Sequence, residues 1–189
     1  ETNLKEDPLN AVILGFNVEL KENPKDVKVI THEVIYELID DYESWLKQEV
    51  KGSVEKKLEK LTRPCKIIIL PGYVFRNSGP AIVGVEVLGG TLKQGITLFR
   101  GNNIISKVKE LQLEGKNVSE GEKGKKLAIS LPDAVFGRNL LDRDVLYSEI
   151  TENEFRELKK LKGYLSSDEI EVLKEISEIK RKGNVMWGV

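Results

Sequence analysis

The chain of 189 residues contains one cysteine, Cys65, and one histidine, His32. A single cysteine excludes a disulfide framework within the chain. A single histidine removes most metal sites and most histidine-dependent catalytic schemes. Methionine is also single, at Met186, and the first residue is Glu1, so the sequence is expected to be a piece of a longer protein. No apolar run approaches the roughly 18 residues that a membrane-spanning helix needs, and no secretory leader is expected. The chain therefore reads as cytoplasmic, with no membrane partner.

What is abundant is charge. Charged residues make up 32% of the chain against 40% hydrophobic ones, a globular composition with the charge load common in heat-adapted proteins. The length suits one medium domain or two small ones. The net charge of −1 hides an asymmetry, because residues 62–150 carry 13 basic and 9 acidic side chains, a surplus of +4. Such a surplus fits a modest phosphate-contacting surface, and equally chance variation in a charge-rich protein.

Hydrophobic periodicity divides the chain into four parts, an α+β arrangement with more than one domain. Residues 1–30 contain the apolar run Leu9 to Leu20, expected as a strand covered on both faces. A polar turn at Asn23-Pro24 and a short strand through Val27, Val29 and Ile30 follow. This is part of an α/β unit. Residues 31–61 form a long connecting helix, with Thr31 as its N-cap and His32 in its first turn. Val34, Ile35, Leu38, Ile39, Tyr42, Trp45, Leu46 and Val50 recur at helical spacing. Ser53 to Leu61 carries a thinner stripe and is expected largely in solvent. Gly52 is read as a tolerated residue and not a bend, at a cost of about 1 kcal/mol against alanine.

Residues 62–150 alternate at strand period through Val83, Val85 and Val87. Gly89-Gly90 is expected to supply a tight reversal, and a further strand begins past Gly95. The segment Pro71 to Asn77 reads as loop-like. Residues 151–189 hold two helices that pack on the barrel, each opened by a capping box: Thr151 with Glu154, and Ser166 with Glu169.

Catalytic chemistry is sparse. The glycine pairs Gly79/Gly84, Gly84/Gly89 and Gly90/Gly95 have phosphate-loop spacing, but Val85, Gly90 and Ile96 stand where lysine is required. Cys65 adjoins Ile67-Ile68-Ile69 and reads as a small buried hydrophobe. His32 has a solvated or capping role, and the pair Asp40-Asp41 lies on a solvated helix face. No nucleophile-base pair or ligand cluster supports an enzyme.

The succession of a strand, Gly89-Gly90-Thr91-Leu92-Lys93-Gln94-Gly95, a long strand, the Gly121 to Leu131 segment and Asp144-Val145-Leu146 resembles the antiparallel β-barrel that follows the G domain in translational GTPases. The order is a partial α/β unit, a long helix, Arg63-Pro64-Cys65-Lys66-Ile67, Leu70 to Arg76, a barrel and two helices. Taken whole, it is similar to the C-terminal third of archaeal and eukaryotic translation initiation factor 5B, the counterpart of bacterial initiation factor 2. The ending Ile179 to Val189 is archaeal in style.

That resemblance implies the carboxyl end of a ribosome-dependent GTPase, with GTP and magnesium held in a G domain outside this sequence. No cofactor or metal is implied within it. The implied partners are initiator methionyl-tRNA, initiation factor 1A and the ribosomal subunits. Residues implied at the tRNA end are Arg63, Lys66, Tyr73, Phe75, Arg76, Gln112, Leu113 and Lys126. Aromatic faces and guanidinium groups there would stack on unpaired bases and meet phosphate. Residues implied in docking factor 1A are Phe155, Leu158, Lys159, Lys162, Ile176, Ile179 and Trp187, with the alternative that Met186 and Trp187 fold back and seal the barrel. Two other readings remain open: a protein-protein docking scaffold, and a general RNA-binding barrel without tRNA specificity. Because the nucleotide-binding motifs are missing, the purified chain should show no saturable GTP binding in a fluorescent-nucleotide titration; tight binding would overturn this.

Overall fold

The computed structural model describes residues 12–19 and 27–188. They belong to two units, residues 1–57 and 58–189. In the first, β1 (Val12–Phe16) runs parallel to β2 (Lys28–His32), with Gly15 opposite Thr31 and Phe16 opposite His32. The expected cover on both faces of β1 is not found, since Ile13, Leu14 and Phe16 are each about half exposed. Two strands alone offer no second layer to bury them. Residues 9–11, Leu20 and the Asn23-Pro24 turn lie outside the described residues.

Helix α1 (Ile35–Lys60) begins later than the sequence suggests. Thr31 and His32 are the last two residues of β2, because their backbones pair with β1 and the His32 carbonyl accepts from Asn17 N–H at 2.9 Å. The imidazole reaches the helix instead. Its Nε2 lies 2.7 Å from Asp41 Oδ2 and its Nδ1 3.3 Å from Glu37 Oε2. Both partners are acceptors, so only the doubly protonated ring can donate to both. The helix passes through Gly52 unbroken. Its second half is largely solvated, as its thin stripe suggests, with only Val54 and Leu58 buried, at i,i+4 spacing, between 53 and 61.

The second unit contains nine strands among its described residues. These are β3 (Cys65–Arg76), β4 (Ala81–Lys93), β5 (Thr97–Arg100), β6 (Asn103–Lys107), β7 (Glu110–Leu113), β8 (Lys116–Val118), β9 (Glu120–Glu122), β10 (Lys126–Leu131) and β11 (Val145–Ser148). They pair antiparallel in the order β6-β5-β11-β3-β4-β10-β7-β8, with β9 added on β4. Strands β6 and β7 stand near opposite ends of that order, yet only Val108-Lys109 separates them. Val108 N–H donates to Ile96 O at 2.8 Å, while Lys109 N–H donates to Ser130 O at 2.9 Å. One dipeptide thus bonds to both sides, which curls the sheet into a barrel. Alternate residues fill it: Ile67, Ile69, Val83, Val85, Val87, Leu127, Ile129 and Leu131 are buried together with Cys65. Burial pushes the Cys65 thiol well above its ordinary value, which leaves it inert as a nucleophile.

Helices α2 (Glu152–Lys160) and α3 (Ser167–Arg181) follow, each opened by the expected capping box. Polar contacts along one side of α3 tie it to the barrel. Arg63 donates to Glu169 through Nε and Nη2, both at 2.7 Å. Lys66 Nζ and the Tyr147 hydroxyl converge on Glu175 at 2.8 and 2.6 Å. Lys180 reaches Glu149 at 2.5 Å and lies 4.3 Å from the centre of the Phe99 ring. Gly90 N–H donates to Asp168 Oδ2 at 2.7 Å and holds that carboxyl below its ordinary value.

The reversal expected at Gly89-Gly90 is absent, because β4 runs straight through to Lys93 and turns at Gln94-Gly95. The glycines serve close approach instead. A Cβ on Gly89 would meet Val172 of α3 at 2.8 Å, and one on Gly90 would lie 1.8 Å from Pro64 O. Gly90 also holds φ at 71°, which side chains avoid. Nor is Pro71 to Arg76 a loop; it is the bulged second half of β3.

Two predictions follow from these environments. Gly52→Ala meets nothing within 4 Å and should stabilise α1 by about 1 kcal/mol, whereas Gly90→Ala should cost the barrel unit more than about 2 kcal/mol. Urea denaturation with probes in each unit checks both, and equal effects would refute the contrast. Asp41, with Glu37, raises the His32 pKa above its ordinary 6.5. A raised folded-state pKa stabilises fully below the unfolded value and is lost as pH rises through the folded one. The contact of β2 with α1 should therefore weaken between neutral and alkaline pH. The His32 imidazole should titrate above 6.5 by NMR, and His32→Gln should remove the pH dependence of exchange at the start of α1.

Candidate nucleic-acid interface

The outer face of the barrel carries a cleft of about 560 Å³. Its floor follows from strand register. Gly84 of β4 lies opposite Ala128 of β10, and Ala128 lies opposite Gln112 of β7. Side chains of one face alternate along a strand, so Ile82 and Gly84 share the outer face with Lys126, Ala128 and Gln112. The two central floor residues are thus glycine and alanine, which leaves a depression.

One wall is made by an irregularity in β3. Ile69 pairs with Val85 and Val74 with Val83, so β3 spends five residue steps where β4 spends two. The excess is pushed outward as Leu70-Pro71-Gly72-Tyr73. Proline has no N–H to lose from the ladder, and Gly72 takes φ of 79°. A second shift follows, with Val74 opposite Val83 and Arg76 opposite Ile82, and its extra residue is Phe75. Both aromatics are therefore bulge residues, and they are 58% and 64% exposed. Gly84 admits Tyr73, since a Cβ there would come within 2.7 Å of the Tyr73 Cβ. The opposite wall is the β7–β8 hairpin, with Gln112, Glu114 and Gly115. Leu127 completes the lining beside Lys126.

Of the eight residues implied at a tRNA end, the structure brings Tyr73, Phe75, Gln112 and Lys126 together in this cleft. Arg76 is exposed at the end of β3 but is not part of the lining. Leu113 is half-buried and packs against the barrel core. Arg63 and Lys66 are engaged with Glu169 and Glu175 of α3, outside the cleft. Sequence reasoning missed Leu70, Ile82 and Gly84, whereas Glu114, Gly115, Leu127 and Ala128 fall in the stretches 111–117 and 126–128, which the family resemblance implies at the amino-acid end. Gly84, a glycine at an outward position of an alternating strand, was the one available signal; the others depend on cross-strand register.

The residues implied in factor docking divide differently. Phe155, Leu158, Ile176 and Trp187 are buried, with the Trp187 ring 4.7 Å from that of Phe155. Trp187 has folded back onto α2, and a Cβ on Gly188 would strike Phe155 at 2.6 Å. Met186 remains exposed. Lys159 and Lys162 are exposed and Ile179 is half-buried.

Neither Lys126 nor Arg76 forms an ion pair among the described residues, in contrast to Arg63, Lys66, Lys93 and Arg100, which pair with Glu169, Glu175, Glu120 and Asp144. The barrel's unneutralised charge therefore includes Lys126 at the cleft. No group of three or more histidine, cysteine, aspartate or glutamate side chains could hold a metal among the described residues. No helix described is long and apolar enough to cross a membrane.

Comparison with known proteins agrees with this architecture. Residues 63–147 match the family model of elongation factor Tu domain 4. The chain is 40% identical over 195 residues to a probable translation initiation factor IF-2 of Methanosarcina mazei, covering 99% of this chain and 33% of the relative. It is 46% identical over 187 residues to the corresponding protein of Hyperthermus butylicus, covering 94% and 31%. The crystal structure of GDP-bound aIF5B from Aeropyrum pernix aligns with a TM-score of 0.70 at 35% identity, over 98% of this chain and 32% of that one. The chain thus spans about a third of the length of the curated relatives it matches. Barrel, capped helices and agreement along nearly the whole chain lead to one conclusion: the chain belongs to the translation initiation factor IF-2/aIF5B family, as its C-terminal region.

Proposed function

We propose that the barrel cleft holds the aminoacylated acceptor end of initiator methionyl-tRNA, within a cytoplasmic factor whose GTP and magnesium chemistry resides elsewhere in the longer protein. The observation that carries this reading is the pair of bulged aromatics over a small-residue floor. Tyr73 and Phe75 offer faces for unpaired bases or an apolar aminoacyl group, and Lys126 and Arg76 offer charge for phosphates. Nothing in the cleft supplies a nucleophile with a base, so the module binds and positions. Its full setting would be the joining of ribosomal subunits.

We also propose that the terminal helices dock initiation factor 1A. The buried Phe155, Leu158, Ile176 and Trp187 then act by fixing α2 and α3, and contact falls to the exposed remainder. That remainder includes Lys159, Lys162 and the half-buried Ile179, with Tyr164 exposed nearby in sequence. It would suit an acidic, partly apolar segment.

Replacing both Tyr73 and Phe75 with alanine should weaken binding of methionyl-tRNA by roughly 1–3 kcal/mol for each base lost from stacking. Arg76→Ala should weaken it less and flatten the salt slope by about 0.7. Filter binding over a salt series measures both. Unchanged affinity in the double variant would overturn the cleft assignment.

A further inference from the structure

The cleft contains one carboxylate, on Glu114, and its position is unusual. Strands β7 and β8 are joined by two residues, Glu114 and Gly115, with φ of 51° and 79°. Positive φ at both central positions is the hairpin turn that asparagine, aspartate or glycine accommodates best at its first position. Glutamate is ill suited there, because its longer side chain lacks the local hydrogen bonding that eases this conformation. The backbone thus carries strain at a residue lining a cavity, and strain at such a place is a pointer to function.

Register adds a second observation. Ala128 of β10 faces Gln112 of β7. Lys126 begins β10 two residues before Ala128, and Glu114 opens the turn two residues after Gln112, so both stand at the same end of this strand pair. They do not close an ion pair, although both line the cleft. Nor does Glu114 pair with any other cation among the described residues. An apolar cleft therefore ends in one ammonium and one carboxylate, each left available.

Resting on the reading that the cleft receives an aminoacylated acceptor end, we infer that Glu114 binds the free α-ammonium of the aminoacyl ester while Lys126 meets the adjoining phosphate. An aminoacyl ester carries an ammonium and an apolar side chain on the same α-carbon, with the phosphates beyond the ester and the sugar. The cleft offers a partner for each: the Glu114 carboxylate, the apolar lining and the Lys126 ammonium. Glu114 is then a specificity-determining residue that favours an unblocked amino group, because an acylated nitrogen keeps neither the charge nor the donors that a carboxylate requires.

The test compares methionyl-tRNA with N-acetyl-methionyl-tRNA on the whole chain. The unmodified protein should prefer the free amine by roughly threefold to tenfold, as a rim-exposed charge pair allows. Glu114→Asn should abolish that preference by weakening only the free-amine ligand. The same variant should unfold at higher urea concentration than the parent, since asparagine suits the turn; a merely structural role for Glu114 would not produce loss of preference with gain of stability. The preference should also fade as pH rises through the titration of the amine. Equal binding of both ligands by the unmodified protein, with Tyr73 and Phe75 still required, would overturn the role of Glu114 and leave the cleft assignment standing. Binding of neither ligand would overturn both.

Discussion

A carboxylate that is 2% exposed cannot stay in a protein without donors, and Glu169 has four of them. Arg63 supplies Nε and Nη2, and Ser166 supplies its backbone N–H and hydroxyl. Much of the barrel unit depends on this junction. The serine contacts define where α3 begins. The arginine contacts fix the residue just before Pro64, whose carbonyl lies against Gly90. Asp168, next to Glu169, takes the Gly90 N–H, so helix, first barrel strand and second barrel strand are held at one place. Removing a single partner of a buried ion pair typically costs about 3–5 kcal/mol, because the remaining charge is stranded. The cleft is built on the other ends of the same two strands, and it inherits their alignment.

Local signals in the sequence were legible where local physics decides. Both capping boxes form, since a threonine or serine three residues before a glutamate needs no distant partner. The alternation through Val83, Val85 and Val87 becomes an inward face, and Cys65 is buried beside Ile67. Gly89-Gly90 was misread for the opposite reason. A glycine pair between strands suggests a turn, but Pro64 and Val172, distant along the chain, require those glycines. Likewise Thr31 and His32 are drawn into β2 by pairing with β1, against their reading as a helix start. Only half of the implied tRNA residues meet in the cleft, because one face of β3 and the register of β4, β10 and β7 settle which side chains converge. Arg63 and Lys66 show the cost of reading charge alone, being committed to α3.

The same commitment refines the meaning of the surplus charge in residues 62–150. Of its 13 basic side chains, Arg63, Lys66, Lys93 and Arg100 are engaged in ion pairs within the unit. Arg76, Lys116, Lys125 and Lys126 form none among the described residues. Arg76 ends β3, Lys116 begins β8 just after Gly115, and Lys125 and Lys126 lead into β10, but only Lys126 lines the cleft. At the cleft itself Lys126 is offset by Glu114, so counterion release at a few phosphates gives a moderate salt dependence, not a steep one.

The bulges explain why the aromatics lie where they do. On a regular strand, Tyr73 and Phe75 would share a face with Pro71, and Val74 would lie opposite. Their ring planes would then be set by the pleat and packed against neighbours across the sheet. The three residues inserted opposite Gly84 detach Tyr73 from that constraint, and the one inserted before Arg76 detaches Phe75. Both residues line the cleft while staying more than half exposed. A large exposed aromatic is unfavourable in water unless something covers it, and two of them on adjacent bulges face one depression. Straightening β3 by deleting the three excess residues Leu70, Pro71 and Gly72 would therefore preserve the buried alternation of Ile67 and Ile69 while withdrawing the wall of the cleft. Fold and site are separable in this strand: its first half carries the core, and its second half carries the aromatic wall.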